Sequence, residues 1–495
     1  MFKFRVVTCI AVLLCVAPAA AQYDDLPAFV ERGMDLWHTP GAAVAVVSDE
    51  EVFVMQGMGV TSVDAPVPVD EHTLFAIAST TKAMATFGVL MLADEGKLNL
   101  DDPVTKYITE LQFVDDTMNR EITIRDLLAH RTGLPSTDWW EFAHDMPLDE
   151  QIWRLRFVER EAPSRTRLIY QNTMFSLLSA LIERVDGRPW HEFIAEELWG
   201  PVGMRETFPS RADIPEGSVH VWPHFYLGGK VSVVEWDLPP GFRDPAGSVW
   251  SSVHDMALWA QFLLRGGVTA DGQRLLSTKR FSEMFEPTQL ASPSDFYPTV
   301  ELTRPHWRTY GLGWFQQDFQ GRAIDFHTGS LGGLIAIIGL DRAARRAVIM
   351  LGNRDHAEFR HAVLWEVMDT GPEARDWNQE VFDLYGHLQA AQAEQREALH
   401  ASRRKGTRTS LPLGDFAGRY ASNAFGEVEV SVDGKELVAQ TARHKLRFSH
   451  WHDNVFLWKF EQWDFESLVE FRIGNDGVVQ ALEMLGQRLE RVAGD

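Results

Sequence analysis

The sequence predicts an α+β protein: an antiparallel sheet flanked by helices, with a helical subdomain inserted into it, followed by a small C-terminal antiparallel β-barrel. Three observations carry this. Strand-like apolar runs lie near both ends of the first 370 residues, with helical runs between them. Composition changes near residue 372, where a helix-prone stretch leads into a basic linker. Beyond Asp415 the pattern has period two, with seven or eight short strands expected over about eighty residues, as in an up-and-down barrel or a sandwich.

Length and composition set the outer bounds. A chain of 495 residues needs more than one core. Its net charge of −23 makes nucleic acid a poor partner. Residues 1–21 read as a secretory signal peptide, with Lys3 and Arg5 ahead of the apolar run Val6 to Val16 and Ala19-Ala20-Ala21 before Gln22. The expectation is export, periplasmic or secreted, with no membrane attachment beyond that signal. Cys9 and Cys15 both fall inside it, so the mature chain is expected to lack disulfides, thiolate metal sites and cysteine nucleophiles. The predicted divisions are 22–371 for the main domain, 372–410 for a helical and basic linker, and 411–495 for the barrel.

Taken in order, Asp24 to Trp37 reads as a helix ended by Pro40-Gly41. Ala42 to Val47 and Val52 to Met58 flank a polar turn and read as a hairpin of buried strands. Thr123 and Asp126 frame a capped short helix over Ile122 to His130, stopped by Gly133 and Pro135. His130 is assigned a structural role, because no second ligand at metal spacing accompanies it. A helix is predicted over Met174 to Val185, with Asn172 or Thr173 as its cap. Trp199 to Met204 is expected to be a loop, and Val253 to Leu264 a helix. Tyr310 to Phe315 opens the second strand group. Ile324 to Gly329 follows as a strand, and Leu334 to Leu340 with Ala347 to Gly352 as a hairpin. In the C-terminal part Asp433-Gly434 and Asn475-Asp476-Gly477 read as hairpin turns.

The chemistry is expected at Ser79-Thr80-Thr81-Lys82. Between Glu71 and Asp94, Lys82 is the only Asp, Glu, Lys or Arg, and the run after it is apolar on every helical face. A buried cation either shifts its pKa down or finds partners. Ser79 lies one helical turn earlier on the same face, where a lysine that can lose its proton activates a hydroxyl. The other S-x-x-K, Ser402 to Lys405, sits in a charged linker with nothing to desolvate the lysine. Tyr170-Gln171-Asn172 is the sole Y-x-N among eight tyrosines, and His327-Thr328-Gly329 the sole H-x-G among seventeen histidines.

This ordered set, S-x-x-K, then Y-x-N, then a basic residue before Thr-Gly on a strand, together with Arg125 to Pro135, resembles the serine β-lactamase and penicillin-recognising hydrolase family. The likeness is greatest to its class C β-lactamase, DD-peptidase and esterase branch, and it covers roughly residues 25 to 370. The resemblance implies a β-lactamase/transpeptidase-like sheet and an acyl-enzyme on Ser79. The C-terminal pattern is similar to the lipocalin-like domain that follows some of these hydrolases.

The expected roles follow. Ser79 attacks a carbonyl and Lys82, if neutral, takes its proton. Tyr170 is a second candidate base, as a phenol between two cations. Asn172 donates to a substrate amide or holds the lysine. The Ser79 N–H supplies half of an oxyanion hole, and the resemblance implies that Ser330 supplies the other. Gly329 admits a substrate backbone at the strand edge, and Thr328 and His327 lie beside that pocket. His327 departs from the lysine usual in β-lactamases, which favours peptidase, amidase or esterase chemistry over antibiotic hydrolysis.

The sequence reading is thus a serine hydrolase of small esters, amides or D-amino-acid peptides, with no cofactor, no metal and an open question of homo-oligomerisation. The alternatives are a β-lactamase, a penicillin- or peptidoglycan-binding sensor without turnover, and an assembly role dominated by the barrel. No G-x-S-x-G or H-E-x-x-H occurs, which disfavours an α/β-hydrolase and a zinc peptidase of that type.

Overall fold

In the computed structural model, the described residues are 23–492 apart from Asp237 and 461–464, so the predicted signal peptide lies outside the described residues. No helix among the described residues is long and apolar enough to cross a membrane.

The two ends of the main domain build one eight-stranded antiparallel sheet. The N-terminal hairpin, Gly41–Ser48 with Val52–Gly59, forms one flank. Its inner strand pairs with Arg346–Gly352, in register Val44 to Met350. Leu334–Asp341, Arg322–Leu331, Phe315–Phe319, Arg308–Tyr310 and Gln289–Leu290 follow outward.

The central strands are apolar almost throughout because helices cover both faces. Alternate residues enter opposite cores. Ala43, Ala45, Ile338 and Ile349 face the inserted helical subdomain. Val44, Val46, Ile337 and Val348 face the helices Leu26–Trp37 and Phe359–Met368.

The subdomain is centred on the helix Thr81–Asp94, of which every residue but the last is buried. A 3-10 turn, Ala78–Thr80, leads into it. Helices Thr173–Asp186 and Val253–Leu264 pack nearby. The predicted capping box is present: Asp126 N–H donates to Thr123 Oγ1, and Thr123 N–H to Asp126 Oδ2.

Two local expectations differ. Trp199 to Met204 is helical at its start rather than a loop, because Trp190–Ile194, Ala195–Trp199 and Gly200–Val202 run on from one another, with a widened π turn directly ahead of Pro201, which has no N–H to give the helix. Asn172 occupies the N-cap position of its helix but makes no side-chain cap bond, since its amide is engaged elsewhere.

After the 25-residue helix Trp377–Ala401, the C-terminal part closes as an eight-stranded barrel in sequential strand order. Val428, Val430, Phe456, Trp458, Phe471 and Leu489 fill it. This is the up-and-down form of the two predicted.

The barrel also touches the main domain close to the Ser79 cleft. Trp139 stacks on Phe425 at 4.2 Å, Trp140 Nε1 donates to Ala424 O at 2.7 Å, and Arg154 Nη1 donates to Asn423 O at 2.7 Å.

Candidate active site

Ser79 stands on a strained turn. Ala78, just before it, has φ +46, a left-handed conformation costly for a residue with a Cβ. The strain is held from two sides. Ile77 N–H donates to Val249 O at 2.9 Å. Gly329 lies so close that a Cβ there would fall 2.2 Å from Ile77 O, so only glycine lets the strand end meet the turn.

Lys82 is fully buried, and its Nζ has three oxygen acceptors: Ser79 Oγ at 3.1 Å, Asn172 Oδ1 at 2.7 Å and Ala246 O at 2.6 Å. These oxygens can take up the N–H donors of an ammonium, which is how a buried lysine is tolerated. The rings of Tyr170 and Phe175, with centroids 5.0 and 5.4 Å from Nζ, add their negative faces.

The sequence reading missed Asp244 and Ala246, which lie in the irregular stretch before Trp250. Asp244 is buried, and its Oδ1 accepts from Ala246 N–H at 2.7 Å, which shapes the turn that presents the carbonyl. Burial raises the Asp244 carboxyl, while Ala246 N–H, Ser176 and Lys82 pull it down.

Asn172 works in two directions. Its Oδ1 accepts from Lys82, and its Nδ2 donates to Asp138 Oδ1 at 3.2 Å. Asp138 directly precedes Trp139, so the same short segment reaches both Asn172 and the barrel.

Tyr170 is half-buried, with its ring 4.2 Å from that of His130. Burial pushes its hydroxyl well above the ordinary phenol value, against the opposing pull of a hydrogen bond with Ser79. The phenol form of Tyr170 is therefore favoured, with the Lys82 ammonium over its ring at 5.0 Å.

His327 is fully buried. Its Nδ1 lies 2.7 Å from Thr328 O and its Nε2 3.0 Å from Tyr310 Oη. A carbonyl only accepts, so Nδ1 carries the proton and Nε2 accepts from the tyrosine. Burial, then the nearby Lys82 charge, pushes its pKa down to about 3.

The other strand residues divide between two faces. Ser330 lines the cleft with Ser79 and Asn172. Thr328 turns its hydroxyl to Tyr297 Oη instead. Arg360, also missed from the sequence, donates from Nη1 to Gly329 O and, at 2.8 Å, to Ser330 Oγ. It thereby fixes the strand end from behind. Glu358 is its ion-pair partner at 3.0 Å; burial alone would raise that carboxyl, but Arg360 and His356 hold it well below its usual value.

His130 is buried and neutral, its pKa lowered by burial and then by Lys82. Its Nδ1 accepts from Gln171 N–H at 3.3 Å, and its ring packs between Tyr170 and Phe175. This positions Tyr170, as a structural role requires. The rejected Ser402 is exposed and donates to Leu399 O.

The cleft over Ser79 is lined by Ala78, Asn172, Asp244, Ala246 and Ser330. Leu238, Phe242 and Leu331 continue from it into a small neighbouring pocket, lined also by Trp236 and Trp250, with Arg211 over the Trp236 ring at 4.1 Å.

Residues 26–370 match the family described as Beta-lactamase. The chain belongs to the Beta-lactamase family. Residues 402–491 match a second family, described as Domain of unknown function (DUF3471).

Among similar proteins, "Unguisins hydrolase ungD'" of Aspergillus campestris (strain IBT 28561) is 26% identical over 93% of this chain and 89% of its own length. "Protein flp" of Staphylococcus aureus (strain MW2) is 25% identical over 67% of this chain and 63% of its own. Two solved structures share the fold. The octameric penicillin-binding protein homologue from Pyrococcus abyssi has a TM-score of 0.61 at 20% identity, covering 94% of this chain and 99% of that one. The D-stereospecific amidohydrolase from Streptomyces sp. has a TM-score of 0.55 at 23% identity, covering 70% of this chain and 98% of that one. Membership of this family, with a hydrolase among the similar proteins, supports a β-lactamase-related hydrolase.

Proposed function

We propose that this protein is an exported serine hydrolase that cleaves an amide or ester through an acyl-enzyme on Ser79. The observation that carries the reading is Ser79 Oγ at 3.1 Å from the buried Lys82 Nζ, on the floor of a cleft it shares with Asn172 and Ser330.

In this reading Lys82 and Tyr170 act as one titrating unit. At rest the unit is ammonium plus phenol; the reactive form has lost one proton. Ser79 Oγ attacks the substrate carbonyl carbon as its proton passes to that unit. The backbone N–H groups of Ser79 and Ser330 stabilise the oxyanion. As the C–N or C–O bond breaks, the proton returns to the leaving amine or alkoxide. Water then attacks the carbonyl carbon of the Ser79 ester and loses a proton to the same unit; the bond from that carbon to Ser79 Oγ breaks, Oγ takes the proton back and the acid leaves. Asn172 steers the lysine throughout, and its amide also faces the cleft.

Two features support an amide or peptide with an apolar substituent over a β-lactam. His327 is neutral and committed to Thr328 and Tyr310, so it offers no charge to a substrate carboxylate. The aromatic pocket beside the cleft suits an apolar side chain. The D-stereospecific relative supports including D-amino-acid amides among the substrates.

The test is a hydrolysis panel of p-nitrophenyl esters, D- and L-amino-acid amides and a chromogenic cephalosporin. Turnover of an amide or ester, lost in Ser79→Ala, supports the reading; adducts that persist without product would favour the sensor alternative. Export is tested by sequencing the mature N-terminus, expected at Gln22.

A further inference from the structure

Outside the Ser79 cleft, three side chains from distant parts of the chain converge at the surface: His72, Glu206 and His254. One ring nitrogen from each histidine and one carboxylate oxygen all lie within 4.8 Å of one another. His72 Nδ1 is 2.9 Å from Glu206 Oε1, and His254 Nδ1 is 3.8 Å from Glu206 Oε2. Ligands at about 2.0–2.1 Å from a tetrahedral zinc stand roughly 3.3 Å apart, so small ring rotations reach that spacing.

The cluster is braced from beneath. Ser252 Oγ donates to Glu206 Oε2 at 2.6 Å, and Glu206 N–H donates to Asp255 Oδ2 at 2.6 Å. His254 N–H donates to Glu71 O at 3.2 Å, tying the two histidine segments together. Such outer contacts aim metal ligands.

Asp255, buried beside the cluster, holds two of its members: its Oδ1 lies 3.1 Å from His254 Nδ1, and its Oδ2 accepts from Glu206 N–H and, at 2.9 Å, from Thr207 Oγ1. Glu71, whose Oε1 is 3.9 Å from His72 Nε2, adds further negative charge.

We propose that His72, Glu206 and His254 form a binding site for a divalent transition-metal ion, zinc by the chemistry of two imidazoles and a carboxylate, with a fourth position open to water or Glu71.

The site's place in the fold gives it a consequence. Three residues after His72 the strand Phe75–Ala76 begins, and it runs directly into the Ser79 turn. The strand Trp250–Ser251 lies just before His254 and pairs with it, Phe75 to Ser251 and Ala76 to Trp250. Phe208, two residues after Glu206, bonds Trp250 in both directions, at 2.8 and 2.9 Å. The three ligand-bearing segments are therefore the threads that meet at Ser79 and at the Trp250 wall of the apolar pocket. A bound ion clamps their outer end and takes no part in bond breaking.

The test uses untagged full-length protein, dialysed against chelator and titrated with ZnCl₂ by calorimetry and with Co²⁺ by visible absorption. The expected result is one equivalent of zinc per chain, four-coordinate Co²⁺ ligand-field bands, and a raised thermal midpoint with zinc. In His72→Ala/His254→Ala both signals disappear, while the metal-free circular dichroism spectrum is unchanged because both side chains are substantially exposed. Equal zinc uptake by wild type and the double variant, or no stoichiometric uptake by wild type, overturns the proposal. Neither readout depends on hydrolysis.

Discussion

Lys82 Nζ lies 2.6 Å from the carbonyl oxygen of Ala246, 164 residues away in sequence. That contact brings the 244–248 turn into the site. Asp244 builds the turn, accepting Ala246 N–H at 2.7 Å while its own N–H donates to Ser248 Oγ at 2.8 Å. Asp244→Ala is expected to release the carbonyl, misplace the lysine and lower kcat by about tenfold to a hundredfold, with KM little changed. Steady-state kinetics on an activated ester checks this. An unchanged kcat removes the turn from the mechanism.

Lys82→Ala and Tyr170→Phe are each expected to lower kcat by about 10²–10⁴-fold, the usual range for loss of general acid–base catalysis. Because the reactive form has lost one proton from their shared unit, kcat/KM is expected to rise with pH through neutrality. With its pKa near 3, His327 contributes no inflection between pH 5 and 7. A pH–rate profile of His327→Gln should keep the wild-type limb. A limb in that range that vanishes in the variant contradicts the neutral assignment.

The same histidine should appear in stability. Its folded pKa of about 3 lies below the ordinary 6.5, so the unfolded chain takes up the proton first as pH falls. Its contribution is constant above pH 6.5 and declines from there to about pH 3, by up to ~1.4 kcal/mol per pH unit and roughly 5 kcal/mol in all. His361, also pushed down to about 3 by burial, acts in the same direction. Urea unfolding of His327→Gln between pH 4 and 6.5 should show a slope shallower by about one proton. Equal slopes refute a buried neutral imidazole.

The barrel is expected to matter for activity. Phe425 stacks on Trp139, and the preceding Asp138 accepts from Asn172 Nδ2. Phe425→Ala should destabilise the protein by about 3 kcal/mol and loosen the segment that carries Asp138. Activity should fall with it, and deletion of residues 411–495 should lower kcat/KM further. Full activity in the truncated chain would make the barrel an accessory.

Local patterning made much of this legible. Continuous apolar runs marked the central sheet strands, which are buried on both faces, and alternation marked the barrel strands, which bury one. The apolar run around Lys82 identified the buried helix, since a lone cation there needs partners. What stayed hidden were contacts with no periodic signature. Asp244 and Ala246 act through an irregular turn, and Arg360 reaches the strand end from a helix on the opposite face of the sheet. His72, Glu206 and His254 lie too far apart in sequence to show any ligand spacing. Residue types also could not reveal that burial raises the Tyr170 hydroxyl, or that His327 spends both ring nitrogens on Thr328 and Tyr310.

The most direct test of the central claim is intact-mass spectrometry with peptide mapping after reaction with a fluorophosphonate, run beside ester hydrolysis for wild type and Ser79→Ala. One adduct on the peptide containing Ser79, with both labelling and hydrolysis abolished in a folded Ser79→Ala protein, is the predicted result. Hydrolysis retained by that variant, or labelling at another serine with loss of activity, would contradict it.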